Sequence, residues 1–114
     1  MAQCNHLPIY KTTYNLLLRL TQLTVKFEQN YKHTLGEKIR KDMLELLALV
    51  YKANSSKTER TIYIQQFLDS LQVLEFQLRL SKDLRQLNVA QFAEIVEMSD
   101  SLGRQAQGWL KSSF

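Results

Sequence analysis

The sequence predicts an all-α fold, an up-down-up-down antiparallel four-helix bundle with residues 1–114 as one domain. Three observations predict it. Apolar residues recur at helical spacing along nearly the whole chain. Only three Gly and one Pro occur in 114 residues, too few turn formers for an antiparallel β fold. Three capping signals divide the periodic runs, and the short connections they leave make neighbouring helices antiparallel.

The first helix is expected over residues 8–32. Pro8 suits a first turn, where its missing N–H is no loss, and the apolar pattern runs from Ile9 to Tyr31. Thr34-Leu-Gly-Glu37 matches a capping box and opens a second helix over 35–54, with Ile39, Met43, Leu46, Leu47 and Val50 as its stripe. Asn54-Ser55-Ser56 breaks that pattern. Ser56-Lys-Thr-Glu59 is a second box and starts a helix over 57–87. Asn88-Val-Ala-Gln91, the Asn/Gln form of the box, starts the last helix over 89–111.

Helices 1 and 3 carry more apolar surface than one bundle core uses. On helix 1, Ile9, Leu16, Leu20, Leu23 and Phe27 form one stripe, and Tyr10, Tyr14, Leu17, Leu18 and Val25 form an adjacent one. On helix 3, Ile64, Phe67, Leu68, Leu71, Leu74 and Leu78 form the core face. Ile62, Val73, Phe76, Leu80, Leu84 and Leu87 lie on the opposite side. A second apolar face of that size reads as an oligomer interface. Irregular packing that buries these residues within the chain is the alternative.

Enzyme chemistry finds no support. Cys4, His6 and His33 are the whole His/Cys inventory, which excludes a disulfide framework and gives no metal-ligand spacing; solvated side chains account for them. No Glu-x-x-His pair of a di-iron bundle, no Gly-rich phosphate loop and no local triad motif is present. The residues preceding His33 include no Arg at the spacing of small helical ribonucleases. No cofactor is implied. The Met1–His6 segment lacks the apolar core of a signal peptide, and no run is long enough to span a bilayer, so a cytoplasmic protein with no membrane partner is expected.

Charge is what remains. The net charge is +4, and most of the excess falls in residues 1–33. Lys11, Asn15, Arg19, Gln22, Lys26 and Gln29 share one polar arc of helix 1 with no carboxylate among them. Such an arc suits a phosphate backbone, although an ordinary solvated face is the simpler reading. Lys38, Arg40 and Lys41 open helix 2, where the dipole disfavours cations, although Glu37–Lys41, Lys38–Asp42 and Lys41–Glu45 are available as pairs. Arg79, Lys82 and Arg85 gather near the end of helix 3, with Glu75 and Asp83 available to Arg79. Lys11, Arg19, Lys26, Arg79, Lys82 and Arg85 are the expected nucleic-acid contacts. Tyr10, Tyr14 and Trp109 can stack on bases, but at helical spacing they read first as core or interface.

Several segments carry a resemblance. Leu7-Pro-Ile-Tyr-Lys-Thr-Thr-Tyr14, Tyr31-Lys-His-Thr-Leu-Gly-Glu-Lys-Ile39, Arg79-Leu-Ser-Lys-Asp-Leu84 and Leu102-Gly-Arg-Gln-Ala-Gln-Gly-Trp109-Leu-Lys111 resemble the bacterial four-helix bundle protein family. The match is closest to its branch of accessory variability determinants from diversity-generating retroelements. The resemblance implies a pentameric ring with a basic surface. It implies a non-enzymatic accessory protein that binds the reverse transcriptase, the template RNA and DNA during mutagenic retrohoming. Two alternatives stand beside it: the sister branch encoded in intervening sequences of ribosomal RNA genes, with an unknown partner, and a helical adaptor that binds only protein.

Overall fold

The computed structural model describes residues 4–114 and contains only helices and turns among them. The first three residues of the predicted domain, and of the segment read as lacking a signal peptide, lie outside the described residues. The elements are α1 (Pro8–Thr24), a single-turn α2 (Gln29–Tyr31), a π-helical turn (Lys32–Gly36), α3 (Glu37–Ser55), α4 (Arg60–Asp83) and α5 (Val89–Ser112). The four long helices touch in the cyclic order α1–α3–α4–α5 and back to α1. This is the predicted bundle. No described helix is long and apolar enough to cross a membrane.

The core is one cluster drawn from the inner stripe of each long helix. Leu16, Leu20, Ile39, Met43, Leu46, Leu74, Ile95 and Leu102 are sealed from solvent. Truncating such a leucine to alanine costs about 2–5 kcal/mol. The predicted core faces of helices 1 and 3 are buried, apart from half-buried Leu68. On α3 the stripe is shifted: Leu49 and Ala53 are buried, whereas Leu47 is only half-buried.

The first reversal departs from expectation. Helix 1 was expected to run to residue 32, but α1 stops at Thr24. Its last turn tightens into short bonds, Lys26 N–H to the Leu23 carbonyl and Phe27 N–H to the Thr24 carbonyl. That twist carries Phe27 inward to a buried position. Glu28 is extended, and its N–H donates to Gln86 Oε1 at 2.8 Å, on the far side of the sequence. The helix then restarts at Gln29, with no break at Thr34. Thr34 does not cap: its hydroxyl donates back to the Asn30 carbonyl at 2.9 Å, inside the helical run. Gly36 is buried here, and a Cβ on it would meet Thr24 Cβ at 3.3 Å. The glycine lets the restarted helix cross close to the end of α1.

Helix 3 is shorter than the expected 57–87. Half of the predicted Ser56 box forms, with Glu59 N–H donating to Ser56 Oγ at 3.2 Å. The reciprocal bond does not, because Ser56 N–H closes α3 on the Lys52 carbonyl and the Glu59 carboxylate accepts from the Tyr63 hydroxyl. Residues 57–59 are therefore a turn and α4 begins at Arg60. At the other end α4 closes with Gln86 N–H on the Ser81 carbonyl and Arg85 N–H on the Lys82 carbonyl. This is the bond pattern of a Schellman cap, and it places Arg85 at φ 61°. The third box is complete: Gln91 N–H donates to Asn88 Oδ1 and Asn88 N–H to Gln91 Oε1.

Cys4 is buried rather than solvated, drawn in by the turn that bonds Leu7 N–H to its carbonyl. His6 and His33 are exposed, at the start and after the end of α1. No group of three or more His, Cys, Asp or Glu suited to a metal ion occurs among the described residues.

Candidate functional site

The two ends of the bundle differ. At one, α4 begins beside the ends of α3 and α5. Arg60 donates from Nε to the Ala53 carbonyl at 2.8 Å and from its terminal nitrogen to the Asn54 carbonyl at 3.1 Å, and its guanidinium lies 5.8 Å from the Trp109 ring centre. Trp109 is thus engaged in the bundle. At the other end the loops after α1 and α4 meet through the Glu28–Gln86 bond, and Lys82 Nζ sits 5.1 Å over the ring of Phe92 at the start of α5.

The helix 1 arc does not survive as a continuous strip. Lys26 and Gln29 lie beyond the end of α1, so the arc they were assigned to ends before them. Arg19 is paired with α5: Nε reaches Glu94 Oε2 at 2.9 Å and its terminal nitrogen reaches Oε1 at 3.0 Å. The hydrogen bond that Arg19 donates to Glu94 raises the Arg19 pKa further, desolvation opposes it more weakly, and the negative charge of Glu94 adds to the rise. A carboxylate from α5 therefore interrupts the arc that helix 1 alone leaves carboxylate-free. Lys11, exposed in the first turn of α1, lies about 20 Å along the axis from the end of that helix, beyond which Lys26 sits.

The structure does bring Lys26, Lys82 and Arg85 to one end of the bundle, in or beside the two touching loops. Lys26 and Arg85 are exposed, and no ion pair involves either among the described residues. Arg79, one turn earlier on α4, is exposed and lies 3.5 Å from Asp83. Glu75, its other candidate partner, instead accepts from Ser99 Oγ at 2.7 Å. Lys32, which sequence reasoning left out, sits in the π-helical turn at the same end. Its signal was the charge excess of the first third of the chain.

At the start of α3 only one of the three possible ion pairs forms: Lys38 Nζ to both oxygens of Asp42 at 2.8 Å. Asp42 also accepts from Gln77 on α4 at 2.9 Å. Partial burial works to raise the Asp42 pKa, but the bonds from Lys38 and Gln77 and the charges of Lys38 and Lys41 outweigh it and hold the carboxyl below its usual value. Arg40 turns to α1 and donates to Thr24 Oγ1 at 2.8 Å. The Tyr63 hydroxyl, bonded to Glu59, is the third displaced group, with its pKa raised by that bond and charge.

The apolar surplus is real. Phe76 is 64% exposed, and Ile62, Val73 and Leu80 are about half exposed on the outer face of α4. Leu84 is half-buried and Leu87, at 3%, belongs to the core. Both were assigned to the outer face by continuing the helical period; Leu84, whose N–H still bonds the Leu80 carbonyl, caps α4, and only Leu87 lies beyond the Schellman turn at Arg85 that ends the period. On α1, Tyr14 and Leu18 are exposed, as is Val25 at its C-cap; Tyr10 and Leu17 are half-buried, and Tyr10 and Tyr14 stack with ring centres 6.2 Å apart. Leu44 of α3, which the sequence stripe omitted, joins this face at 57% exposure. A concavity of about 660 Å³ between α4 and α5 mixes Arg104 and Lys111 with Glu75 and Asp100. None of the three groups with a displaced pKa lines it.

A protein-family model described as bAvd-like matches residues 7–113, nearly the whole chain. Among curated proteins, none matches.

Proposed function

The chain belongs to the bAvd-like family, and from that premise we propose that it is a non-enzymatic accessory protein of a diversity-generating retroelement. It acts in the cytoplasm as a homo-oligomeric, pentameric scaffold that holds the reverse transcriptase together with template RNA and cDNA. The family match along residues 7–113 is the observation that carries this reading. The cations at the end formed by the loops after α1 and α4 support it as a phosphate-contacting surface. Repetition around an oligomer multiplies such contacts, each weak alone.

A tagged copy drawn from its native cell, with and without RNase, tests the proposal. A reverse transcriptase should copurify with one template RNA. Ribosomal fragments would move the chain to the intervening-sequence branch. A protein partner retained with no nucleic acid, and with little response to salt, would make it a protein-only adaptor. The bond of Arg19 to Glu94, which removes one cation from free surface, favours that adaptor as the second reading.

A further inference from the structure

We propose that copies of this chain join head to tail, the outer ridge of α4 on one copy seating in the groove between α1 and α3 of the next, with Asp69 of the ridge meeting Arg40 of the groove. The proposal rests on the homo-oligomeric reading above and adds which faces meet and in what sense.

The two surfaces differ in shape. On α4, Ile62, Asp69 and Phe76 follow at seven-residue steps, and Val73 and Leu80 flank them at the same step. This spacing makes a straight seam on one helix face. Its apolar members are about half exposed or more, and Asp69 is exposed among them. The α1/α3 surface is concave, a groove of about 420 Å³ walled by Tyr14, Leu17, Leu18, Thr21 and Leu44, with Arg40 its one charged residue. Exposed apolar side chains in a row along one helix can fill an apolar groove between two others, whereas two such grooves leave each other unfilled.

The charges make the same choice. Arg40 is half-buried, donates to Thr24 and has no carboxylate partner among the described residues. Asp69 has no cation partner there either, and it borders a cleft that already holds Asp42 and Glu45, with Lys38 committed to Asp42. Ridge against ridge about a two-fold axis places Asp69 towards Asp69, and groove against groove places Arg40 towards Arg40. Like charges in an interface are costly, and opposite ones fix register. Ridge into groove pairs the two unmatched charges and covers both apolar faces at once. Such a contact is heterologous, so it repeats from copy to copy until a ring closes or a filament grows.

Two surface variants, Phe76→Asp on the ridge and Leu18→Asp in the groove, test the pairing by light scattering, with circular dichroism to check helix content. The wild-type protein should be an oligomer and each variant alone a monomer. An equimolar mixture should give a one-to-one dimer and nothing larger, because one copy keeps its groove and the other its ridge. A mixture that stays monomeric, or Leu18→Asp keeping the wild-type size, overturns the pairing while leaving oligomerisation intact. A monomeric wild-type chain at micromolar concentration overturns the oligomeric reading beneath it. Arg40→Glu and Asp69→Arg should each weaken association about tenfold or more, and the double variant should recover most of it. Singles that dissociate without recovery in the double variant overturn the Arg40–Asp69 register.

Discussion

Arg85 holds a backbone conformation that L-residues other than Asn and Asp rarely visit, at φ 61°. Glycine relieves that strain, so Arg85→Gly should stabilise the fold by about 1 kcal/mol and raise Tm by a few degrees. The same change should weaken RNA retention, since it removes an exposed cation from the loop-bearing end. A variant that gains stability and keeps RNA binding would show that the arginine side chain has no part in the contact. Asp42 makes a separate prediction. Its carboxyl titrates below its unfolded value, so folding favours the ionised form. The stabilisation it gives is complete above about pH 4, near the unfolded pKa, and is lost as pH falls through the lowered folded value. Denaturant midpoints between pH 6 and pH 3 should fall for wild type and fall less for Asp42→Asn.

At the scale of elements, caps with the same sequence signature differ in what they hold. Asn88→Ala breaks a complete box and should cost about 1 kcal/mol in a thermal or denaturant melt. Thr34→Ala should cost much less, because Thr34 lies within the helical run and only back-bonds to Asn30. The four long helices were legible because each lays a 3.6-residue stripe of large aliphatics against the core. The first reversal was not. Phe27 falls on the α1 stripe as if the helix continued, and Val25-Lys-Phe-Glu28 contains neither Gly nor Pro. The outer face of α4 was legible at Ile62, Val73, Phe76 and Leu80 for the same periodic reason. It failed at Leu87 because a left-handed Arg85 carries no mark that separates it from an ordinary helical arginine.

For the molecule as a whole, the bundle sorts by end the cations that the sequence sorts by helix. Replacing Lys26, Lys82 and Arg85 with glutamine should lower RNA affinity at low salt and reduce the slope of log affinity against log salt by about two to three. Lys11→Gln, at the far end, should leave the slope nearly unchanged. Both follow from filter binding or anisotropy across a salt series. The pairing of Arg19 with Glu94 was invisible for a related reason: its carboxylate comes from a helix 75 residues away in sequence. The loop contact between Glu28 and Gln86 has a similar span and a wider consequence. Inside residues 8–55 the reversal at 25–28 is held by the close crossing at Gly36 and the Arg40–Thr24 bond, but no Gly or Pro marks it and the clasp on Glu28 comes from Gln86. The hairpin is thus written only partly in its own half of the chain, and a fragment of residues 8–55 should carry helices that close on each other less firmly than in the whole protein.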